Sequence, residues 1–145
     1  MIEASCACGS ILADFKFMDS LIEYGRNLGL AFQIRDDCLD YEGEKEEVGK
    51  DLGIDLKEGK LTLPVLRAMQ KSSDLRSMIG EFFEKRDEAI LHEIMNLVKE
   101  YGLREAVNEA KVFSKKAKSA LAALPDSKYK DYLVAIADYS IERKR

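Results

Sequence analysis

The sequence predicts an all-α fold for a single region that spans residues 1–145. Apolar residues recur every three or four positions along most of the chain, which is the spacing of a helix that buries one face. No segment of useful length alternates with the two-residue period of a strand. The chain has only two prolines, whereas an all-β chain needs many turns.

The first predicted helix, from Ile2 to Leu12, is small and apolar on most of its faces. A helix that is apolar all round is typical of a buried position. A bundle of 145 residues has little room to enclose such a helix completely. We therefore expect further protein to surround it.

The second predicted helix contains Gly25 and Gly29 and ends near a cluster of aspartates. At about 100° per residue, three carboxylates and one amide fall within an arc of about 100°, and the two glycines lie beside them on the same face. We expect the glycines to leave an open groove that leads to the cluster. The clustered residues are Gln33, Asp36, Asp37 and Asp40.

This acidic cluster contradicts the local preferences of a helix. Like charges four residues apart repel one another, and the negative end of the helix dipole disfavours anions near the last turn. A hard divalent cation such as Mg²⁺ would remove the repulsion, because it prefers oxygen ligands and binds one or two carboxylates together with phosphate oxygens. The alternative is a solvated acidic face without a ligand.

The segment from Gly43 to Pro64 is predicted to be a long loop. Lys50 and Lys60 each follow a glycine, which allows the backbone and the ammonium group to approach a ligand closely. Two lysines beside a metal site indicate a polyphosphate ligand that is held from two sides. The alternative is a mobile surface loop.

The rest of the chain is predicted to be helical. Asp74 is expected to cap a helix that carries Leu75 to Phe83, and Gly102 is expected to end the helix that follows. A long amphipathic helix then covers residues 103–124. Pro125 separates it from a last helix that contains Tyr129 and Ile141.

Composition excludes several classes of function. The net charge of −4 argues against general binding of nucleic acid. No apolar run reaches the ~18 residues of a transmembrane helix, and no signal peptide is visible at the first residues. Three cysteines without zinc-ligand spacing are typical of reduced thiols. We therefore expect a cytoplasmic protein.

Three linked elements follow one another in a fixed order and spacing, and together they resemble the trans-isoprenyl diphosphate (polyprenyl) synthases. The first, Phe32-Gln33-x-x-Asp36-Asp37-x-x-Asp40, resembles the second aspartate-rich motif of that family. The Gly49-Lys50 pair comes next, and the trailing loop reads Asp55-Leu56-x-x-Gly59-Lys60-x-Thr62-Leu63-Pro64. Shorter matches lie at Tyr24-Gly25-x-x-Leu28-Gly29 and at Ala137-Asp138-Tyr139 with Arg143.

The resemblance implies the C-terminal half of the isoprenoid synthase helical bundle and a Mg²⁺-dependent transferase of isoprenoid biosynthesis. Isopentenyl diphosphate would attack the cation that forms when an allylic diphosphate ionises. By position in the motifs, Asp36, Asp37 and Asp40 would bind Mg²⁺, and Lys50 would hold the allylic diphosphate and pair with Asp36. Gln33 would face the reacting carbons. Lys60 would contribute to diphosphate binding or loop closure, and Arg143 would help to close the site.

The chain also departs from the family, whose members are about twice as long and carry a first aspartate-rich motif upstream of the region seen here. We therefore expect a fragment that does not catalyse the condensation alone and that forms a homodimer when full length. Two alternatives remain open. The chain could be a helical diphosphate-binding partner subunit without independent catalysis, or part of a terpene cyclase.

Overall fold

A computed structural model describes residues 1–42 and 52–143 of the chain. Within those ranges every regular element is a helix and no residue lies in a β-strand, so the predicted all-α class is confirmed. The α-helices are α1 (Ile2–Leu12), α2 (Met18–Leu39), α3 (Ile54–Lys57), α4 (Leu63–Met69), α5 (Leu75–Lys85), α6 (Glu88–Val98), α7 (Arg104–Ala120) and α8 (Lys128–Glu142). A π-helical turn, Lys99–Leu103, joins α6 to α7, and a 3₁₀ turn, Leu121–Ala123, follows α7.

The chain divides into two compact units. The first unit contains residues 1–35 and 109–145, and the second contains residues 36–108. The divisions fall inside α2 and inside α7. The aspartate cluster and Lys60 belong to the second unit, whereas Gln33 and Arg143 belong to the first.

The first unit is built around α2, α7 and α8. Its core consists of Tyr24, Leu28, Ala117, Leu121 and Ala137. The Tyr24 hydroxyl donates a hydrogen bond of 2.8 Å to the Leu133 carbonyl oxygen of α8. Burial raises the pKa of Tyr24 to about 12, so this phenol remains a neutral donor at physiological pH.

Helix α1 is not enclosed by the described residues. Ser10 is its one buried residue, while Ile11 and Leu12 are 49% and 89% exposed. Ile2 and Cys6 pack against the core of this unit, whereas Ile11 and Leu12 form an uncovered apolar surface at the C-terminal end of α1.

The expected groove at Gly25 is absent, because α1 fills that position. A Cβ atom on Gly25 would lie 2.8 Å from the Cα of Glu3 and 2.9 Å from the Sγ of Cys6. Gly25 is therefore needed for the close approach of α1 and α2. At Gly29 a Cβ atom would make an ordinary contact of 3.9 Å with Ile2. The prediction of an open face is wrong at the first glycine because periodicity does not show which helix packs there.

The second unit packs α4, α5, α6 and the π-helical turn around a larger apolar core. Its buried members come from α3, α4, α5 and α6, together with Tyr41, which lies two residues beyond the end of α2. They are Tyr41, Leu56, Val65, Ala68, Leu75, Ile79, Phe82, Leu91, Ile94, Met95 and Val98. The apolar positions predicted for α5 and α6 face this core.

Gly102 does not end a helix, which corrects the sequence prediction. Helix α6 continues through the π-helical turn into α7, and Gly102 lies buried inside that turn. A Cβ atom on Gly102 would overlap the Pro64 carbonyl oxygen and would lie 2.8 Å from the Ala68 nitrogen. The residue is glycine because the backbone of α4 passes directly against it.

Asp74 immediately precedes α5, as predicted, but its side chain does not cap the helix. Its carboxylate accepts a hydrogen bond of 2.9 Å from the Ser73 hydroxyl. By contrast, the Asp87 carboxylate caps α6 by accepting a hydrogen bond of 2.7 Å from the Ala89 amide. The predicted boundary is correct, and the predicted cap contact is wrong.

Within residues 1–42 and 52–143, the helices all fall short of the length and apolar character that crossing a lipid bilayer requires.

Candidate functional site

The aspartate cluster lies at the C-terminal end of α2, and its three carboxylates differ in exposure. Asp36 is exposed, Asp37 is half-buried and Asp40 is only 7% exposed. Their apolar neighbours Leu39 and Tyr41 are buried in the second unit. The end of α2 is therefore packed, as predicted, and one edge of it carries two accessible carboxylates.

Asp40 is held by the backbone of the following segment. Its Oδ1 accepts a hydrogen bond of 3.2 Å from the Ile54 amide, and its Oδ2 accepts one of 3.1 Å from the Asp55 amide. The Asp40 carbonyl oxygen accepts a third bond, of 3.3 Å, from the Gly53 amide. Ile54 and Asp55 are the first two residues of α3, whose amides have no acceptor within the helix. The Asp40 side chain supplies those acceptors.

Gly53 makes this arrangement possible. Its φ of 73° lies in the left-handed region, which favours glycine, and the residue is buried. A Cβ atom at this position would also lie 2.9 Å from the Sδ of Met95. The chain therefore turns at Gly53 so that the start of α3 faces the end of α2.

Lys60 follows α3 and is paired with two acidic residues. Its Nζ lies 2.7 Å from Glu58 Oε2 and 3.3 Å from Asp55 Oδ1. Its backbone amide also donates a hydrogen bond of 2.8 Å to the Asp55 carbonyl oxygen. These acidic partners, Glu58 first, raise the pKa of Lys60, so the ammonium group stays charged at physiological pH. The ammonium is exposed enough to meet a soluble anion.

Two hydroxyls are buried beside the cluster. Among residues 1–42 and 52–143, no group accepts from or donates to Tyr41 Oη or Thr62 Oγ1 in good geometry, although the Thr62 side chain lies beside the Tyr41 phenol. Burial raises the pKa of Tyr41 well above its usual value. Thr62 is the residue that precedes α4. Rotation of either hydroxyl would allow the pair to share one hydrogen bond. The sequence prediction missed this contact between the end of α2 and the start of α4.

The donor set fits a magnesium ion that keeps most of its own shell. No group of three or more acidic, histidine or cysteine side chains is arranged as a metal cage within residues 1–42 and 52–143. Mg²⁺ does not require such a cage, since it commonly binds one or two carboxylates, water and phosphate oxygens. Asp36 and Asp37 are adjacent and accessible, which meets that need.

The remaining predicted site residues are distributed as follows. Gln33 is exposed on α2 in the first unit. Arg143 lies in the same unit, with its guanidinium carbon 3.9 Å from the Phe32 ring centroid and its carbonyl oxygen 3.3 Å from Arg35 Nη2. Arg143 thus packs against the residue that precedes Gln33. Lys50 lies outside the described residues.

Comparison with known proteins places these features in a family. A family model described as polyprenyl synthetase matches residues 1–100, which include the aspartate cluster and Lys60. The octaprenyl diphosphate synthase of Escherichia coli K12 is 35% identical over 150 aligned residues, which cover 100% of this chain and 46% of that protein.

Solved structures agree with the sequence relatives. A decaprenyl diphosphate synthase from Rhodobacter capsulatus matches with a TM-score of 0.88 and 33% identity, over 99% of this chain and 46% of that one. A polyprenyl synthase from Caulobacter crescentus CB15, crystallised with calcium and isoprenyl diphosphate, matches with a TM-score of 0.75 and 35% identity, over 88% and 40%. The chain spans less than half the length of each of these relatives. The chain belongs to the polyprenyl synthetase family.

Proposed function

We propose that this chain carries the second aspartate-rich part of a trans-prenyltransferase site and binds the diphosphate of an allylic substrate together with Mg²⁺. The observation that carries the proposal is the accessible pair Asp36 and Asp37, which lies within the family-matched residues. The Caulobacter relative was crystallised with a divalent cation and an isoprenyl diphosphate, which is the same combination of ligands.

In this proposal Asp36 and Asp37 would hold the ion, and Lys60 would attract the diphosphate with its exposed ammonium group. Bound Mg²⁺ would offset the negative charge of the leaving diphosphate. Gln33 would face the reacting carbons of the allylic substrate and isopentenyl diphosphate, while Lys50 would bind the diphosphate and Arg143 would help to close the site. The sequence also predicts Asp40 as a metal ligand. These roles remain predictions.

The first experiment measures binding of inorganic pyrophosphate to the purified chain by calorimetry, with Mg²⁺ and then with EDTA. We expect affinity to depend on Mg²⁺ and to fall by about tenfold or more in Asp36→Asn, because a charged ligand becomes neutral. Asp19→Asn is the matched control, since Asp19 is an exposed aspartate near the other end of α2. The proposed site is overturned if pyrophosphate binds equally well with Mg²⁺ and with EDTA and if Asp36→Asn leaves that affinity unchanged.

The second experiment asks whether the chain condenses substrates alone. We expect no sustained product from an allylic diphosphate, isopentenyl diphosphate and Mg²⁺, since the chain spans less than half of its relatives. That same coverage favours a second candidate, a diphosphate-binding subunit without independent catalysis. Addition of the first-motif half of a related synthase distinguishes the two, because restored condensation supports the transferase and continued inactivity supports the binding subunit.

Two properties of the whole protein remain predictions of the family resemblance. One is the homodimer of the full-length protein. The other is a cytoplasmic location, for which the bacterial relatives provide the support, although a relative from Neurospora crassa is named as mitochondrial.

A further inference from the structure

The three aspartates of the cluster have different surroundings. Asp36 and Asp37 have accessible surface at the end of α2, whereas Asp40 is 7% exposed. Both carboxylate oxygens of Asp40 already accept backbone hydrogen bonds, from Ile54 and Asp55. Each carboxylate oxygen has a second lone pair, but the burial of Asp40 leaves little surface at which an ion could reach it. The Asp40 carboxylate turns toward the first two amides of α3.

These contacts connect Asp40 to Lys60 through one residue. The Asp55 amide donates to Asp40, the Asp55 carbonyl oxygen accepts from the Lys60 amide, and the Asp55 carboxylate pairs with Lys60 Nζ at 3.3 Å. Asp55 is therefore bonded to Asp40 on one side and to both the backbone and the side chain of Lys60 on the other. All three residues belong to the second unit.

The energetics favour this position for the Asp40 side chain. Hydrogen bonds to an ionised acceptor are about twice as strong as those between neutral groups. Leaving the two amides of α3 without acceptors would in addition cost the desolvation of each group. Helix α3 has only four residues, so it cannot persist on its own hydrogen bonds. Leu56 anchors α3 in the core and Arg86 donates a hydrogen bond to the Lys57 carbonyl oxygen, while the contact with Asp40 fixes the first turn of α3.

We propose that Asp40 is a positioning residue, whose carboxylate holds α3 and thereby sets the location of the Lys60 ammonium, and that it does not bind the metal ion directly. The part of this inference that concerns diphosphate rests on the proposed function. The part that concerns α3 and Lys60 stands without any ligand. The two parts are tested separately.

The first test uses amide hydrogen exchange and the side-chain NMR signals of Lys60 in the chain without ligand. We expect Asp40→Ala to increase exchange at Ile54 and Asp55 by about tenfold or more and to shift the Lys60 signals. Asp40→Asn keeps one acceptor oxygen and should restore part of the protection. Asp36→Ala is the control and should leave both amides protected. The proposal is overturned if Asp40→Ala changes neither the exchange protection of the Ile54 and Asp55 amides nor the NMR signals of Lys60.

The second test is a double-mutant cycle with pyrophosphate as the probe. We expect Lys60→Ala and Asp40→Ala each to weaken binding by about tenfold, with and without Mg²⁺, because both remove the placed ammonium. The double variant should match Lys60→Ala within about twofold, since the two changes act on the same contact. A loss in Asp40→Ala that requires Mg²⁺ and persists in the Lys60→Ala background would show that Asp40 binds the metal, and would overturn the proposal.

Failure of the proposed function gives a different result. If the unmodified chain binds no pyrophosphate with or without Mg²⁺, the proposed function fails. The exchange measurement then decides the role of Asp40, because it requires no ligand. Circular dichroism of each variant checks that the remaining helices are intact, so general unfolding cannot imitate the local effect.

Discussion

Replacing Gly102 with alanine is expected to destabilise the second unit, although alanine is the better helix former. Gly102 is buried in the π-helical turn between α6 and α7. The added Cβ would overlap the carbonyl oxygen of Pro64 and approach the Ala68 nitrogen at 2.8 Å. Both neighbours are backbone atoms of α4, so no side-chain rotation can relieve the overlap. Either α4 or the turn must move.

The expected magnitude follows from two opposing effects. Overpacking a close contact lowers the free energy of unfolding by about 1–3 kcal/mol. Because the overlap here is with backbone atoms, we expect a loss of about 3 kcal/mol. The higher helix propensity of alanine stabilises the folded state by about 1 kcal/mol relative to glycine. The net loss is therefore about 2 kcal/mol. For a chain of this size that corresponds to a decrease of about 6 °C in the melting temperature.

Gly80→Ala is the matched control. Gly80 lies within α5 in the same unit, and nothing lies within 4 Å of the position its Cβ would take. The same substitution there should stabilise by about 1 kcal/mol. Urea unfolding followed by circular dichroism compares both variants with the unmodified chain. Equal stability of Gly102→Ala and Gly80→Ala would refute the packing explanation for Gly102.

Two further predictions concern the first unit. Gly25→Ala should lower the free energy of unfolding by about 1 kcal/mol, because its Cβ would meet the Glu3 backbone. Gly29→Ala should leave that free energy unchanged or raise it by up to about 1 kcal/mol. Urea unfolding of the two variants tests this, and equal effects would contradict the close approach of α1 to α2. Tyr24→Phe should cost about 1 kcal/mol through the lost bond to Leu133. Because burial raises the pKa of Tyr24 to about 12, its contribution to stability is complete below about pH 10 and is lost as pH rises through about 12. Between about pH 10 and pH 12, the free energy of unfolding should therefore fall less steeply with pH in Tyr24→Phe than in the unmodified chain. Identical slopes would contradict the raised pKa of Tyr24.

The local order of the chain could be predicted from sequence because helices depend on periodic burial. The helical character of the segments around Leu75, Ile94 and Ala117 follows from apolar spacing alone, and each of these residues is buried. The break at Pro125 also follows from local chemistry, because proline cannot continue a helix. Such signals lie within a few residues of the feature that they predict.

The roles of the glycines could not be predicted in that way. Gly25 and Gly102 have the sequence context of an open face and a helix end. Their actual role is set by residues distant in the chain, namely Glu3 for Gly25 and Pro64 for Gly102. A glycine that permits close packing has the same local sequence signature as one that ends a helix. Tertiary contacts alone distinguish the two.

The sequence by itself determined that this protein is helical, that three aspartates share one face at the end of α2, and that the motifs are those of polyprenyl synthases. These properties depend on residue type and spacing, which the chain carries before it folds. Tertiary structure decided that Asp40 faces the backbone of α3 while Asp36 remains exposed. Spacing within one helix cannot separate these carboxylates, because their environments are set by a segment that returns to the helix more than ten residues later.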